Sequence, residues 1–225
     1  TDINPGYKDA IILKRRQNVF LLPEFKAGLF EVQDAGSQAI APFLQAEPGM
    51  RVIDACAGGG GKSLHLAALM ENKGKIISMD TEEWKLNELK LRARRAAVGN
   101  IEIRWIENTK TIKRLDKAAD RVLLDVPCSG LGVLKRNPDA KWKLTPEFIE
   151  NVKRVQAGIL NDYATMVKQG GKLVYSTCSI MPSENEKQVE NFLKHNSNFA
   201  LEEERMIWPS HGFDGFYMAR FIRKS

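Results

Sequence analysis

Short apolar runs recur along this chain, separated by longer stretches in which apolar residues return every three or four positions. The runs at Arg51–Asp54, 75–79, 102–105, 122–125 and 172–176 read as strands, and the intervals 62–71, 82–98 and 146–168 read as helices. Alternation of this kind is the mark of a βαβ array built on a mostly parallel sheet. The third helix opens with Thr145 as N-cap and Pro146 at the first helical position, and it is expected to close at Gly170-Gly171. Ser183-Glu184-Asn185-Glu186 has the form of a capping box ahead of a helix with Val189, Phe192 and Leu193 on one face. The tail at 215–222 reads as a last strand. No crossover helix follows it, so it is expected to pair antiparallel. Residues 1–35 lack periodicity, with Lys14-Arg15-Arg16 and Pro23 among small apolar patches, and are expected to form a lead-in to a domain at 36–225.

Composition narrows the class. A chain of 225 residues that is 43% hydrophobic can bury a sizeable core and is too apolar to be disordered. No run approaches the ~20 apolar residues of a membrane span, and no secretory leader pattern is present. Position 1 is Thr rather than Met, as in a fragment or a processed chain. The net charge of +6 permits a polyanionic partner without requiring one. Cys56, Cys128 and Cys178 lie far apart with no CxxC pair, which argues against a zinc ribbon or disulfide framework and for a reducing, cytoplasmic compartment. His65, His195 and His211 show no ligand spacing, so no metal is expected.

The richest segment is Val52-Ile53-Asp54-Ala55-Cys56-Ala57-Gly58-Gly59-Gly60-Gly61-Lys62-Ser63, which leaves a strand, turns through glycines and enters a helix. In open α/β sheets, ligands bind outside the carboxyl ends of the strands, and glycines let the backbone approach them. A Walker A loop would need Gly where Cys56 stands, and a GxGxxG fingerprint starting at Gly58 would need Gly where Ser63 stands. Asp80 ends the next strand, where a carboxylate can grip a ribose diol. A glycine cradle and a ribose acid, with little to hold a pyrophosphate, suit S-adenosylmethionine.

Cys128, in Asp125-Val126-Pro127-Cys128-Ser129-Gly130, and Cys178, in Tyr175-Ser176-Thr177-Cys178-Ser179, each follow a strand and so lie on the same rim as the glycine loop. Cys56 reads instead as a small hydrophobe. Methyl transfer to C5 of a cytosine gives two thiols work. C5 is too weak a nucleophile unless a thiolate first adds to C6 and makes an enamine. A carboxyl group at N3 or the exocyclic amine stabilises that adduct, and a second thiol can assist its release.

Taken together, these stretches resemble the Sun (nucleolar-antigen) family of RNA 5-methylcytosine methyltransferases, close to its bacterial 16S rRNA members. The likeness runs from about Leu22 to the C terminus. It is carried by Val32-Gln33-Asp34-Ala35, the Cys-Ala-x-x-Gly-Gly-Lys loop at 56–62, the two cysteine motifs, Arg136-Asn137-Pro138-Asp139-Ala140-Lys141-Trp142 and Glu184-Asn185-Glu186. The resemblance implies a Rossmann-like class I S-adenosylmethionine-dependent fold, with a mostly parallel seven-stranded sheet, an antiparallel C-terminal strand and helices on both faces. It further implies Cys178 as the nucleophile, Cys128 as the residue that helps release product, Asp125 as the acid contacting cytosine and Lys62 beside the base. For the cofactor it implies Cys56, Ala57, Gly58, Gly59, Gly60, Gly61, Lys62, Asp80, Lys85 and Asp125.

Two departures stand out. Gly58-Gly59 replace the family's usual Ala-Pro, which loosens the turn. The acid expected at the adenine edge after the third strand is best matched by Glu107, beside Asn108. The segment 135–143 should overhang the site, with Lys135, Arg136 and Lys141 for RNA phosphates. Trp142 serves either for stacking on a base or for core packing. Arg92, Arg94 and Arg95 read as a solvated helix face. The target base must be unpaired or flipped. Alternative readings are a DNA cytosine-5 enzyme and an inert RNA-binding or assembly factor of the same fold. The chain is expected to act as a monomer on rRNA or tRNA, with targeting that in the family commonly depends on an N-terminal RNA-binding domain not recognisable here.

Overall fold

The structure, a computed structural model, describes residues 2–3, 7, 9–15 and 17–224. The expected lead-in therefore falls partly outside the described residues, Arg16 of its basic run included. A seven-stranded sheet organises the chain: β1 (Arg51–Asp54), β2 (Lys75–Asp80), β3 (Ile101–Trp105), β4 (Ala119–Asp125), β5 (Val167–Thr177), β6 (Phe199–Ile207) and β7 (Phe216–Arg223). Their spatial order is β3-β2-β1-β4-β5-β7-β6. The first five pair parallel, and β7 runs antiparallel to both β5 and β6. The expected reversed tail strand is therefore present, inserted between β5 and β6.

Strict alternation along each strand feeds two cores. Ile53, Ile77, Leu124 and Tyr175 face a cluster with Leu160 of α3 (Pro146–Tyr163) and Val189 and Phe192 of α4 (Glu186–His195). Their neighbours Val52, Ile76, Leu123 and Val174 face the opposite cluster with Leu66 and Ala67 of α1 (Gly61–Leu69). A satellite cluster joins Ala57 and Leu64 to Leu89 and Ala93 of α2 (Glu83–Arg95). Helices thus cover both faces, and the carboxyl ends of β1, β2, β4 and β5 share one rim.

Three sequence expectations change. The helix expected to reach residue 168 ends at Tyr163, and the chain passes through a turn of 3-10 helix into β5, so Gly170-Gly171 lie inside a strand. They mark an irregularity in the ladder beside Asp120, where the register shifts between Ala119 and Arg121. Strand β6 was not apparent in the pattern because Glu202-Glu203-Glu204-Arg205 reads as surface. On this edge strand those charges are cross-strand partners, Glu202 and Glu203 binding Arg220 of β7. Ser183 does not cap α4; Asn185 is its N-cap and makes no side-chain capping bond.

Residues 19–34 lie against α2. Glu31 pairs with both Arg92 and Arg95, and the Arg95 guanidinium stacks 3.9 Å from the Phe25 ring centroid. The expectation of a solvated face therefore holds for Arg94 alone, which is exposed. Arg92 and Arg95 are half-buried because the segment before Asp34 folds over them.

Candidate active site

The glycine loop is shaped by two left-handed positions. Gly60 has φ +86°, and a Cβ there would collide with Leu89, so only glycine lets the loop lie flat on α2. Gly58 has φ +51°, but a Cβ there would meet nothing within 4 Å, so its surroundings are open on the rim. The Gly58 N–H donates to Asp80 Oδ2 at 2.8 Å, and the Glu82 N–H donates to Asp80 Oδ1 at 2.9 Å. Arg92 holds the loop from behind, donating to the Gly59 carbonyl at 2.6 Å. Each Asp80 oxygen keeps lone-pair capacity for a hydroxyl, and α1 begins at Gly61 without a side-chain cap, leaving first-turn amides unpartnered. Open space over glycine, a rim carboxylate and helix-end amides fit a nucleoside-bearing cofactor.

Beneath this loop, Asp54 is fully buried, accepting from Ser63 Oγ at 2.7 Å, while Ser78 Oγ donates to Ser63 at 2.8 Å. Burial, outweighing the Ser63 hydrogen bond and reinforced by the nearby Asp125 charge, pushes the Asp54 carboxyl up to about 7.

The second half of the site stands on β4 and β5. Lys62 Nζ lies 2.6 Å from Asp125 Oδ2, and Ser176 Oγ donates to Asp125 Oδ1 at 2.9 Å. Burial pulls the Lys62 ammonium down, but the Asp125 charge and hydrogen bond, with Asp54, hold it above its ordinary value. Beside this pair, Cys128 Sγ and Cys178 Sγ are 3.1 Å apart, both as free thiols. Their shared hydrogen bond makes them unequal. It lowers the Cys178 thiol, aided by Lys62 against burial and Asp125. The same bond, with burial, raises Cys128 well above its ordinary value. Of the two, Cys178 is therefore the more readily ionised and Cys128 the more firmly held as thiol.

The structure brings together Lys62, Asp125, Cys128 and Cys178, and separately Gly58, Gly59, Gly60 and Asp80. It does not bring in every expected residue. Lys85 pairs with Glu82 at 2.5 Å and lies over the Trp84 ring. Glu107 is exposed, and its neighbour Asn108 caps the short helix Thr109–Lys113. Cys56 packs against the core, and burial raises its thiol well above the ordinary value. Ala57 is buried against Leu64 and Leu89. Core packing is excluded for Trp142, which is 80% exposed, with Lys141 stacked over its ring at 4.8 Å. Lys135 is exposed, and Arg136 is tied to Asp214 at 2.6 Å. Sequence reasoning missed the tie from Arg92 to the loop, the Asp54–Ser63–Ser78 network and a buried frame formed by Gln156, Glu184 and Asn185. Side chains of that kind, buried and polar, carry no periodic signal.

The strand order 3-2-1-4-5-7-6, with a glycine cradle on the first strand's rim, defines this as an S-adenosylmethionine-dependent methyltransferase fold. The family model described as 16S rRNA methyltransferase RsmB/F matches residues 41–222, and the chain belongs to that family. A relative from Synechocystis sp., "Probable ribosomal RNA small subunit methyltransferase B", is 42% identical over 182 residues, which are 80% of this chain and 41% of the relative. "Ribosomal RNA small subunit methyltransferase B" of Salmonella paratyphi B is 33% identical over 98% of this chain and 53% of its own. The chain thus spans about half the length of these curated relatives. Among solved structures, NSun6 from Pyrococcus horikoshii with SFG superposes with a TM-score of 0.85 at 29% identity, over 93% of this chain and 57% of that one. S-adenosylmethionine is the cofactor of this family. Among the described residues, no helix is long and apolar enough to cross a membrane.

Proposed function

We propose that this domain methylates C5 of a cytosine in RNA, rRNA being the first candidate, through a covalent bond from Cys178 to C6. The observation that carries the reading is the pair of unequal thiols 3.1 Å apart on the rim that also bears Lys62 and Asp125. Single-cysteine chemistry needs no such pair; a nucleophile with its own release residue does.

When bound, S-adenosylmethionine supplies an electrophilic methyl group, and Gly58, Gly59, Gly60 and Asp80 are the residues that would hold it. Cys178, kept as thiolate by Cys128 and Lys62, adds to C6 of an unpaired or flipped cytosine. Charge then develops on the ring at N3 and C5. Asp125, oriented by Ser176 and Lys62, supplies an acceptor for the exocyclic amine, and Lys62 supplies a fixed positive charge whose stabilisation grows as the ring becomes anionic. Release requires loss of the C5 proton and expulsion of the Cys178 thiolate. The Cys128 thiol is placed to pass its proton to the departing sulfur, and the Cys128 thiolate so formed takes the C5 proton, which restores both groups. Exposed Lys135, Lys141 and Trp142 lie in the segment that follows the Cys128 loop and suit phosphate contacts and base stacking. The family model and the named relatives support rRNA as substrate class.

The test is transfer of labelled methyl groups to small-subunit rRNA, with digestion of the product to nucleosides. Label in 5-methylcytidine is expected. Label in any other nucleoside, or cofactor binding without transfer to any RNA, overturns the reading, the latter in favour of an assembly factor.

A further inference from the structure

The two cysteine loops leave neighbouring strands, β4 and β5, and one carboxylate joins them. Glu184, in the turn before α4, has no exposed surface. Its Oε1 accepts from Ser129 Oγ and from Ser179 Oγ, each at 2.5 Å. Its Oε2 accepts from the Ser129 N–H at 2.8 Å and from Gln156 Nε2 at 2.9 Å. Four donors fill the lone-pair directions of this carboxylate. Ser129 follows Cys128 and Ser179 follows Cys178, so each thiol is one residue from this junction.

The neighbours extend the frame. Gln156 Nε2 also donates to the Pro127 carbonyl at 2.9 Å, gripping Cys128 from its other side. Asn185 does the same for Cys178, accepting from Thr177 Oγ1 at 2.6 Å and donating to the Ser179 carbonyl at 3.0 Å. The Tyr175 hydroxyl fixes the Glu184 backbone, donating to its carbonyl at 2.6 Å.

We propose that Glu184 is a positioning residue that sets the separation of the two thiols and makes them chemically unequal, so that Cys178 attacks while Cys128 stays protonated. The inference rests on the division of labour between the cysteines given above. Charge points the same way: after the Cys178 hydrogen bond, burial and the Cys178 charge, the buried Glu184 carboxylate also disfavours a Cys128 thiolate, while Lys62 favours the thiolate of Cys178. Geometry and charge therefore act in the same direction, and removing the carboxylate should weaken both.

The test compares the rates at which iodoacetamide modifies the two thiols, read by peptide mass spectrometry on the folded chain without RNA or cofactor. The wild-type protein is expected to react first at Cys178. In Glu184→Gln the Cys178-to-Cys128 rate ratio should fall by about tenfold, the effect of one decade in relative thiol acidity. A parallel unfolding curve establishes that the variant is folded. Ser179→Ala, which removes one of the four donors and no charge, should lower the ratio by less, and it decides the matter if Glu184→Gln does not fold. An unchanged ratio in a folded Glu184→Gln, or in Ser179→Ala if that is the only folded variant, overturns the inference. Because no RNA is used, that failure leaves the methyl-transfer reading untouched, whereas failure of that reading appears as missing 5-methylcytidine in the wild-type assay.

Discussion

Gly58 and Gly60 sit two residues apart in the same loop, yet the structure assigns them different duties, and alanine should separate them. At Gly60, φ +86° costs an L-residue about 1–2 kcal/mol. The new Cβ would also drive into Leu89, whose side chain is fully buried between α1 and α2, and overpacking of that kind costs about 1–3 kcal/mol. Gly60→Ala should therefore destabilise the fold by about 3 kcal/mol, which in a domain of this size lowers the melting temperature by about 6–12 °C. At Gly58, φ +51° exacts the backbone cost alone, about 1–2 kcal/mol, because nothing lies within 4 Å of the added carbon. Thermal unfolding followed by circular dichroism, paired with calorimetric titration of S-adenosylmethionine, reads both effects. Gly60→Ala should lose more stability, and Gly58→Ala should lose cofactor affinity with a smaller fall in melting temperature, about 2–8 °C. Equal melting temperatures for the two variants would refute the assignment of Gly60 to helix packing and Gly58 to the ligand face.

Other predictions use the buried charges. The Asp54 carboxyl keeps its proton to about 7 in the folded chain against 3.8 as its ordinary value, so the folded state binds more protons between those limits. Its contribution is intact below pH 3.8 and lost as the pH rises through 7, by about 4 kcal/mol at 1.36 kcal/mol per decade. Asp54→Asn should accordingly be more stable than wild type in urea at pH 8, with the gap closing towards pH 4; a gap that is constant with pH contradicts the burial of a titrating carboxyl. Alkylation of Cys178 should rise with pH through a midpoint below 9.0, and Lys62→Met should move that midpoint upward because a favourable charge is gone. A Lys62→Met profile that coincides with wild type would remove Lys62 from thiolate stabilisation. Gly59→Pro, which restores the proline the resemblance leads one to expect, should raise stability by about 0.4–1 kcal/mol through the unfolded chain. The nearest atoms to its new Cβ belong to the flexible Glu88 carboxylate, at 3.2 Å, so a loss of stability in denaturant titration would show the backbone there incompatible with proline.

The parallel strands and the glycine turn were legible because alternation and glycine clustering are local signals, and β1 begins and ends where its apolar run does. Strand β6 was hidden because its acidic residues are neutralised by Arg220, distant in sequence and visible only once β7 folds back. The arginines of α2 misled for the same reason, since Glu31, 61 residues from Arg92, supplies the partner. At the rim, sequence motifs named the two cysteines and the resemblance implied Cys178 as the nucleophile, but neither gave any sign of their separation. The loops that carry them are held by Glu184, Gln156 and Asn185, polar side chains whose burial depends on separate elements meeting.

The central claim, that two thiols divide attack and release, is tested most directly by exchanging each for alanine and looking for protein–RNA adducts that survive denaturing electrophoresis. With S-adenosylmethionine and small-subunit rRNA, Cys128→Ala should accumulate such adducts, because Cys178 still attacks but the methylated base is not released. Cys178→Ala should form none. Adducts that persist in Cys178→Ala and vanish in Cys128→Ala would reverse the roles and contradict the account.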